Sequence, residues 1–111
     1  MRLLGKKIIL KIKNRGNKKL CNEIDRLISD IEAFNVTIQN ISELRHDADC
    51  VHQDGFYFFN IQLYRILILI EIDDFGEATL IWAASHQAYE MIFKNNKKTI
   101  EKWLRNKGYI L

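Results

Sequence analysis

The sequence predicts an α+β fold in which N-terminal helices pack on a small antiparallel β-sheet, with a further helix at the C-terminus. Residues 18–34 and a stretch that ends near Lys107 each place apolar residues on one helical stripe. Between them lie runs rich in aromatic and β-branched residues, which favour strands. Helices and strands that are segregated along the chain are typical of the α+β class. The 111 residues suffice for one hydrophobic core, so we expect a single domain over residues 1–111.

The N-terminal segment predicts two helices. Leu4, Ile8 and Ile12 recur every four residues as in a helix, although residues 8–12 also alternate as in a strand. We favour a short helix after Gly5. The helix over the first amphipathic stretch has six apolar residues on its stripe: Leu20, Ile24, Leu27, Ile28, Ile31 and Phe34.

The segment 35–54 is polar and predicts a connection, with one helical turn near residues 41–44. Gly55 then precedes FYFFNI, whose aromatic residues favour a first strand. The next run, YRILILIEID, has apolar residues on both of its faces near the middle, which indicates a central strand.

A third strand, ATLIWAAS, follows a turn over residues 73–77, so we expect it to form a hairpin with the central strand. Ser85 is a suitable N-cap for a helix that begins at His86. Asn95 and Asn96 interrupt this helix, and Gly108 ends the last one. The last helix places three apolar residues on one face: Ile100, Trp103 and Leu104.

The net charge of +3 is unevenly distributed along the chain. Residues 1–19 contain eight Lys or Arg and no acid, residues 20–90 have a net charge of −10, and residues 91–111 have a net charge of +5. If the fold brings the basic ends together, they form a cationic face that suits a nucleic acid. Alternatively, these lysines are only the solvated faces of helices.

No motif for a bound cofactor is present, since the sequence contains neither GxxxxGK[ST] nor GxGxxG. Cys50, His46 and His52 lie close together in the sequence, and with the distant His86 they would make four ligands for a tetrahedral zinc ion. Their spacing, however, is not that of a zinc site. We therefore expect neither a cofactor nor a metal, and we expect an exposed polar loop here. A catalytic role for His52 or a neighbouring acid is the remaining alternative.

The sequence also predicts a cytoplasmic protein that does not enter a membrane. Four lysines interrupt the apolar residues of the first 14 positions, so no signal-peptide core is present. The apolar run from Ile66 to Ile70 is far shorter than the ~18 residues that span a bilayer. Two cysteines without a CxxC pair do not indicate a secreted disulfide framework.

Three residues near strand ends are candidates for chemistry. Arg65 begins a strand, where a fixed guanidinium can hold a phosphate through two parallel hydrogen bonds. The alternative is an ion pair with Glu71 or Asp73 on the same face. His86 lies between the end of a strand and the N-terminus of a helix, where backbone N–H groups favour the binding of an anion. Alternatively, it is a histidine of the capping region without a function. Tyr89 follows at i+3 and either lies near His86 or covers the sheet.

The segment FFNIQLYRILILIEID…ATLIWAASHQAYEMI resembles the second half of HigB-type toxins of the RelE superfamily. In that family a strand ending in F-N-I is followed by Y-R-L-I, a turn, and a strand that closes on T-H-x-E-Y-D. The similarity covers about residues 46–93. Five residues fall on motif positions: Asn60, Tyr64, Arg65, His86 and Tyr89.

The chain departs from this pattern at several positions. Ser85 replaces the motif threonine and keeps the hydroxyl cap, while Ala88 replaces the glutamate of a capping box and Glu90 replaces aspartate. The connection between Ile61 and Tyr64 is shorter than the family's glycine-asparagine turn.

The resemblance implies a RelE-like toxin of a type II toxin-antitoxin system, a metal-independent endoribonuclease that cuts mRNA during translation on the ribosome. RNA cleavage without a metal needs a base, an acid and positive charge at the phosphorus. For these we expect His86 as acid or base, Arg65 as the transition-state clamp, Tyr89 as an orienting or base-stacking residue and His52 as a second proton carrier. The resemblance also implies a cognate antitoxin, a helix-turn-helix DNA-binding protein, as partner. The expected RNA contacts are Asn60, Lys94, Lys97 and Lys98.

Two other functions are compatible with this sequence. One is a noncatalytic RNA- or ribosome-binding module that relies on the basic ends of the chain. The other is a gyrase-directed toxin, because the same superfamily architecture permits it. Fold alone does not distinguish these functions.

Overall fold

The computed structural model describes residues 1–37, 39–72 and 76–111. Within these residues the chain forms five helices and five strands. The helices are α1 (Lys6–Arg15), α2 (Lys18–Ala33), α3 (Ile41–Leu44), α4 (His86–Phe93) and α5 (Lys97–Asn106). The strands are β1 (Arg2–Leu4), β2 (Asp49–His52), β3 (Phe56–Ile61), β4 (Tyr64–Glu71) and β5 (Glu77–Ser85). The α+β class is confirmed.

The five strands form a mixed sheet in the order β1-β5-β4-β3-β2. The predicted central position of β4 and its hairpin with β5 are confirmed, since β4 pairs antiparallel with both β3 and β5. β2 extends the sheet antiparallel to β3, and β1 runs parallel to β5 at the other side.

The prediction of a purely antiparallel sheet is therefore wrong at β1. The chain passes through helices α1 to α3 and strands β2 to β4 before β5 returns beside β1, and such a long connection permits a parallel pair. With three residues, β1 is too short to show an alternating pattern. Similarly, residues 49–52 were expected to lie in a connection, but they form β2, an edge strand whose polar residues hide the pattern.

Helices cover both faces of the sheet. Helices α1 and α2 pack on the face to which β4 contributes Ile66 and Ile68, whereas α4 and α5 pack on the face that contains Leu67. We call these the α1/α2 face and the α4/α5 face. Because side chains alternate along a strand, Arg65 lies on the same face as Leu67. This places the candidate residue beneath α4.

The predicted helix ends agree closely with the structure. The short helix after Gly5 begins at Lys6, and Gly5 adopts a φ of 80° that suits glycine. The Ser85 hydroxyl accepts the Ala88 N–H at 3.1 Å and so caps α4 as expected. After α5 the chain turns at Gly108, which has a φ of 83°.

The predicted hairpin turn over residues 73–77 lies partly outside the described residues, since 73–75 are not among them. Among the helices of the described ranges, none has the length and apolar character needed to cross a membrane.

Candidate functional site

Arg65 packs against two aromatic rings, Tyr89 and Phe58, on the α4/α5 face. Its ζ carbon lies 4.2 Å from the ring centroid of Tyr89 and 5.0 Å from that of Phe58. Only 12% of the side chain is exposed. Ring faces attract a guanidinium, so the two rings stabilise its charge and fix its plane.

One edge of this guanidinium has no hydrogen-bond partner among the described residues. Nη1 donates to Asn60 Oδ1 at 3.1 Å, but the buried Nε and Nη2 have no partner. Together, Nε–H and Nη2–H form the planar fork that matches two oxygens of a phosphate or a carboxylate. The arrangement therefore leaves two parallel donors without a hydrogen-bond partner, both of them buried.

Among the described residues, the carboxylate in ion-pair contact with this edge belongs to Asp49. Its Oδ2 lies 3.7 Å from Arg65 Nη2, which is an ion pair but longer than a hydrogen bond. Glu71, one of the two alternative partners expected for Arg65, lies at the opposite end of β4. Asp73, the other, lies outside the described residues. The cross-strand position of Asp49 opposite Phe58 explains why it reaches Arg65 instead.

Asn60 is fixed by a pair of charged side chains at the end of β2. Asp47 Oδ2 accepts the Asn60 backbone N–H at 2.8 Å, and Arg45 Nη2 donates to the Asn60 backbone oxygen at 3.1 Å. Arg45 Nε also donates to Asp47 Oδ1 at 2.8 Å, so the two side chains hold each other. The pairing of β2 with β3 ends at Asp49 and Phe58, and the pair of charged side chains bonds the Asn60 backbone where the next strand residue would. This pair therefore fixes the backbone of Asn60, whose side chain accepts a hydrogen bond from Arg65.

The ionisation of Asp47 follows from these bonds. Burial alone raises the pKa of this carboxyl, but the hydrogen bonds from Arg45 and from the Asn60 N–H, with the Arg45 charge, lower the pKa below its usual 3.8. Asp47 is therefore an acceptor for both partners at neutral pH.

Tyr89 contributes its ring to Arg65 and its hydroxyl to Asn95. The hydroxyl donates to Asn95 Oδ1 at 3.0 Å. Burial raises the pKa of the phenol above its usual 10.0, and the Asp49 and Glu90 charges add to this, although Arg65 opposes it. Because the phenol stays protonated at neutral pH, Tyr89 can donate a hydrogen bond there but cannot accept a proton as a base.

His86 is the first residue of α4, one helical turn before Tyr89. Its backbone N–H donates to the Leu63 oxygen at 2.8 Å, which ties the start of α4 to the connection between β3 and β4. His86 therefore lies at the same end of the sheet as Arg65, since the Arg65 strand position pairs with Ala84, two residues before it.

His52 does not lie with His86. His52 pairs with Phe56 at the start of β3. The other end of β3, Ile61, pairs with Tyr64, which in turn pairs with Ser85, the residue before His86. Five residues of strand separate these ends, which is about 17 Å. The His52 ring accepts the Asp54 N–H at 3.1 Å and contacts the Phe56 ring edge.

The expected lysine contacts lie on the surface beyond α4. Lys94 ends α4 with a φ of 56°, and Lys97 and Lys98 begin α5; all three are exposed. In the part of the chain that the structure describes, no three His, Cys, Asp or Glu side chains form a cluster that could hold a metal.

A groove of about 460 Å³ adjoins the start of α4 from the other side of β5. Lys11 and Arg15 of α1 line it together with Tyr64, Trp82 and Ser85. Cations and aromatic rings in one groove are the usual features of a surface that binds single-stranded nucleic acid.

Sequence reasoning did not find Asp49, Asn95 or the Arg45–Asp47 pair as parts of this arrangement. All four lie in segments that the pattern predicted as connections or interruptions, where periodicity gives no signal for spatial neighbours. The composition of residues 45–49 contained the only available hint, a dense cluster of opposite charges.

No protein-family model, curated protein or solved structure matches this chain.

Proposed function

We propose that this protein is the toxin of a type II toxin-antitoxin system, a RelE-like endoribonuclease that cleaves mRNA without a metal. The observation on which this rests is the Nε and Nη2 edge of Arg65, which lacks a hydrogen-bond partner among the described residues and packs against two rings at the end of the sheet that also contains His86. The HigB-like motif supports the same function, because Asn60, Arg65, His86 and Tyr89 are among the five residues that fall on its positions.

The proposed reaction is an internal transfer at phosphorus. The ribose 2′-hydroxyl loses its proton to a base and its oxygen attacks the adjacent phosphorus, while the bond from phosphorus to the 5′-oxygen breaks. The leaving oxygen takes a proton from an acid. The products are a 2′,3′-cyclic phosphate and a 5′-hydroxyl, and no oxidant or metal is needed.

The residues would act on different parts of this reaction. The Arg65 fork binds two phosphate oxygens and stabilises the charge that develops on them. His86 transfers one of the two protons, which is worth typically about 10²–10⁴ in rate. Tyr89 holds the guanidinium plane rather than accepting a proton, because its phenol stays protonated. His52 has no assigned role in this site, since it lies at the other end of β3.

Binding of RNA would depend on the basic ends of the chain. Asn60 fixes the Arg65 guanidinium, and the exposed Lys94, Lys97 and Lys98 offer contacts to phosphates near α4. On the ribosome these lysines would contact messenger or ribosomal RNA. A helix-turn-helix antitoxin with an acidic segment is the expected cytoplasmic partner, because it would neutralise this cationic surface.

A noncatalytic RNA-binding module is the second candidate. The low exposure of the Arg65 side chain, 12%, favours it, because a buried arginine also serves as a purely structural cation. In that case the chain would block translation by occupying RNA, and cleavage products would be absent.

Inducible expression with mapping of RNA 5′ ends separates these functions. For an endoribonuclease we expect growth arrest and new 5′ ends, both lost in Arg65→Ala and His86→Ala. Arg105→Ala is the matched control, because Arg105 is an exposed arginine of α5 that pairs with Glu101. We expect it to behave like the wild type.

Each other outcome contradicts the proposal. Growth arrest without new 5′ ends indicates a noncatalytic binder, and DNA-damage signalling without loss of messages indicates a gyrase-directed toxin. Normal growth without new ends excludes a toxic nuclease.

A further inference from the structure

Asp49 is the one negative charge found in ion-pair contact with Arg65 among the described residues. Its carboxylate lies 3.7 Å from Nη2 and its side chain is 53% exposed, whereas Arg65 is only 12% exposed. Asp49 therefore lies between the buried guanidinium and solvent on this side. It is the first residue of edge strand β2, so its side chain is not enclosed by a further strand.

The distance between the two groups is informative. At 3.7 Å the carboxylate attracts the guanidinium without making a hydrogen bond, and the buried Nε and Nη2 stay unpartnered. A fully formed pair would satisfy both donors with two parallel bonds. The carboxylate is thus near the fork but does not occupy it.

A phosphate and this carboxylate carry charges of the same sign and match the same pair of donors. They cannot share the fork, because two anions a few ångströms apart repel each other. An incoming phosphate therefore has to displace Asp49 toward solvent. Phosphate alone gains little from this exchange, whereas a phosphodiester held by further contacts gains more.

We propose that Asp49 is a specificity-determining residue that excludes free phosphate from Arg65 and yields to a phosphodiester that the rest of the RNA positions. This inference rests on the proposed role of Arg65 as an anion site. In this account Asp49 competes with the substrate phosphate for Arg65. A substrate therefore has to bind strongly enough through its other contacts to displace the Asp49 carboxylate.

The test measures the affinity of the purified protein for inorganic phosphate at low ionic strength. Phosphate is titrated into the protein, and the NMR signal of the Arg65 Nε–H reports binding. Asp49→Asn removes the competing charge and keeps the size of the side chain. We expect its phosphate affinity to rise roughly threefold or more, because exposed ion pairs are worth a few-fold in affinity. Asp49→Ser serves as a second variant if the amide disturbs β2.

Two controls make the result specific. Glu71→Gln removes one negative charge at the opposite end of β4, so it reports the effect of net charge alone. The gain of Asp49→Asn should vanish in the double variant with Arg65→Lys, since lysine lacks the planar fork.

Phosphate affinity that is unchanged in Asp49→Asn and Asp49→Ser, or that rises equally in Glu71→Gln, would overturn the inference. No RNA is used, so this result is independent of cleavage. If phosphate affinity rises in Asp49→Asn but the protein cleaves no RNA, the competition by Asp49 is supported and the proposed nuclease activity is excluded. If RNA cleavage depends on Arg65 but phosphate affinity does not rise in Asp49→Asn, the nuclease is supported and the competition by Asp49 is excluded.

Discussion

Arg65 combines two properties that rarely occur together in one side chain. Its charge is removed from water and stabilised by ring faces, yet the Nε and Nη2 edge of its guanidinium lacks a hydrogen-bond partner among the described residues. Unpaired buried donors destabilise a fold by about 1–3 kcal/mol each, so an arrangement that keeps them has a cost. An anion that binds at this edge would offset that cost, which is why we assign function to Arg65 rather than to the exposed lysines.

The support behind Arg65 predicts a pH dependence of stability at Asp47. Because the folded-state pKa of Asp47 lies below 3.8, its stabilising contribution is fully present above that pH and is lost as pH falls through the folded value. Asp47→Asn should lower the free energy of unfolding by about 1–2 kcal/mol at pH 6. The gap to the wild type should shrink at pH 3.

Urea unfolding at the two pH values measures this gap. Asp54→Asn is the control, because the Asp54 side chain is 56% exposed and far from Asn60 along β3. A gap for Asp47→Asn that is the same at pH 3 and pH 6 would show that Asp47 acts through packing rather than through its charge.

At the scale of elements, the β2–β3 connection fixes how the β3–β4 pair meets the rest of the sheet. Gly55 has a φ of 103°, its N–H donates to the His52 oxygen, and its own oxygen accepts the Ile70 N–H at 2.8 Å. A Cβ atom at this position would overlap the Ile70 backbone oxygen. The tight turn thus depends on glycine twice, for its φ and for the space it leaves.

Two glycine substitutions separate these contributions. Gly108→Ala, at a φ of 83° with open space around it, should lower the free energy of unfolding by only about 1–2 kcal/mol. Gly55→Ala adds the overlap with a backbone atom and should cost about 3 kcal/mol or more. Urea unfolding of both variants tests the difference, and equal losses would contradict the close approach at Gly55.

At the scale of the whole molecule, the basic N-terminal helix and the start of α4 border one groove. Lys11 and Arg15 line it, whereas Lys13 pairs with Asp25 and Lys6 with Glu32. If RNA follows this groove, the first two cations contact phosphates and the second two serve mainly as partners of acids. The charge pattern along the chain thus divides into docking cations and structural ones.

This division predicts a change in the salt dependence of RNA binding. The double variant Lys11→Gln/Arg15→Gln should bind a single-stranded oligonucleotide more weakly, with a log–log salt slope smaller by about 1.4 for two phosphate contacts. Lys6→Gln/Lys13→Gln is matched in charge and should change the slope less. Fluorescence anisotropy across a salt series measures both, and equal slopes for the two double variants would exclude a role of the groove.

The sequence predicted most of the fold because the core elements have strong local patterns. The stripe of α2, the alternation of β4 and the Ser85 cap each act over a few residues, and the structure agrees with all three. β1 and β2 escaped prediction because their pairing is long-range and their sequences are short or polar.

The candidate site was predictable only in part for the same reason. Arg65, His86 and Tyr89 stand at recognisable strand and helix ends, so patterns of the sequence located them. Which carboxylate faces Arg65 depends on the register of β2 against β3, which no local pattern specifies. His52 was predicted as a second proton carrier, yet the direction of the strands places it at the opposite end of the sheet.

The most direct measurement of the central claim is the chemistry of RNA ends produced by the purified protein on messages bound to translating ribosomes. For wild-type protein we expect fragments with 2′,3′-cyclic phosphate and 5′-hydroxyl ends. For Arg65→Lys we expect at least a ~100-fold lower yield, because the planar fork is lost. Intact messages with the wild type, or equal cleavage by Arg65→Lys, would contradict the proposed nuclease and the role of Arg65 in it.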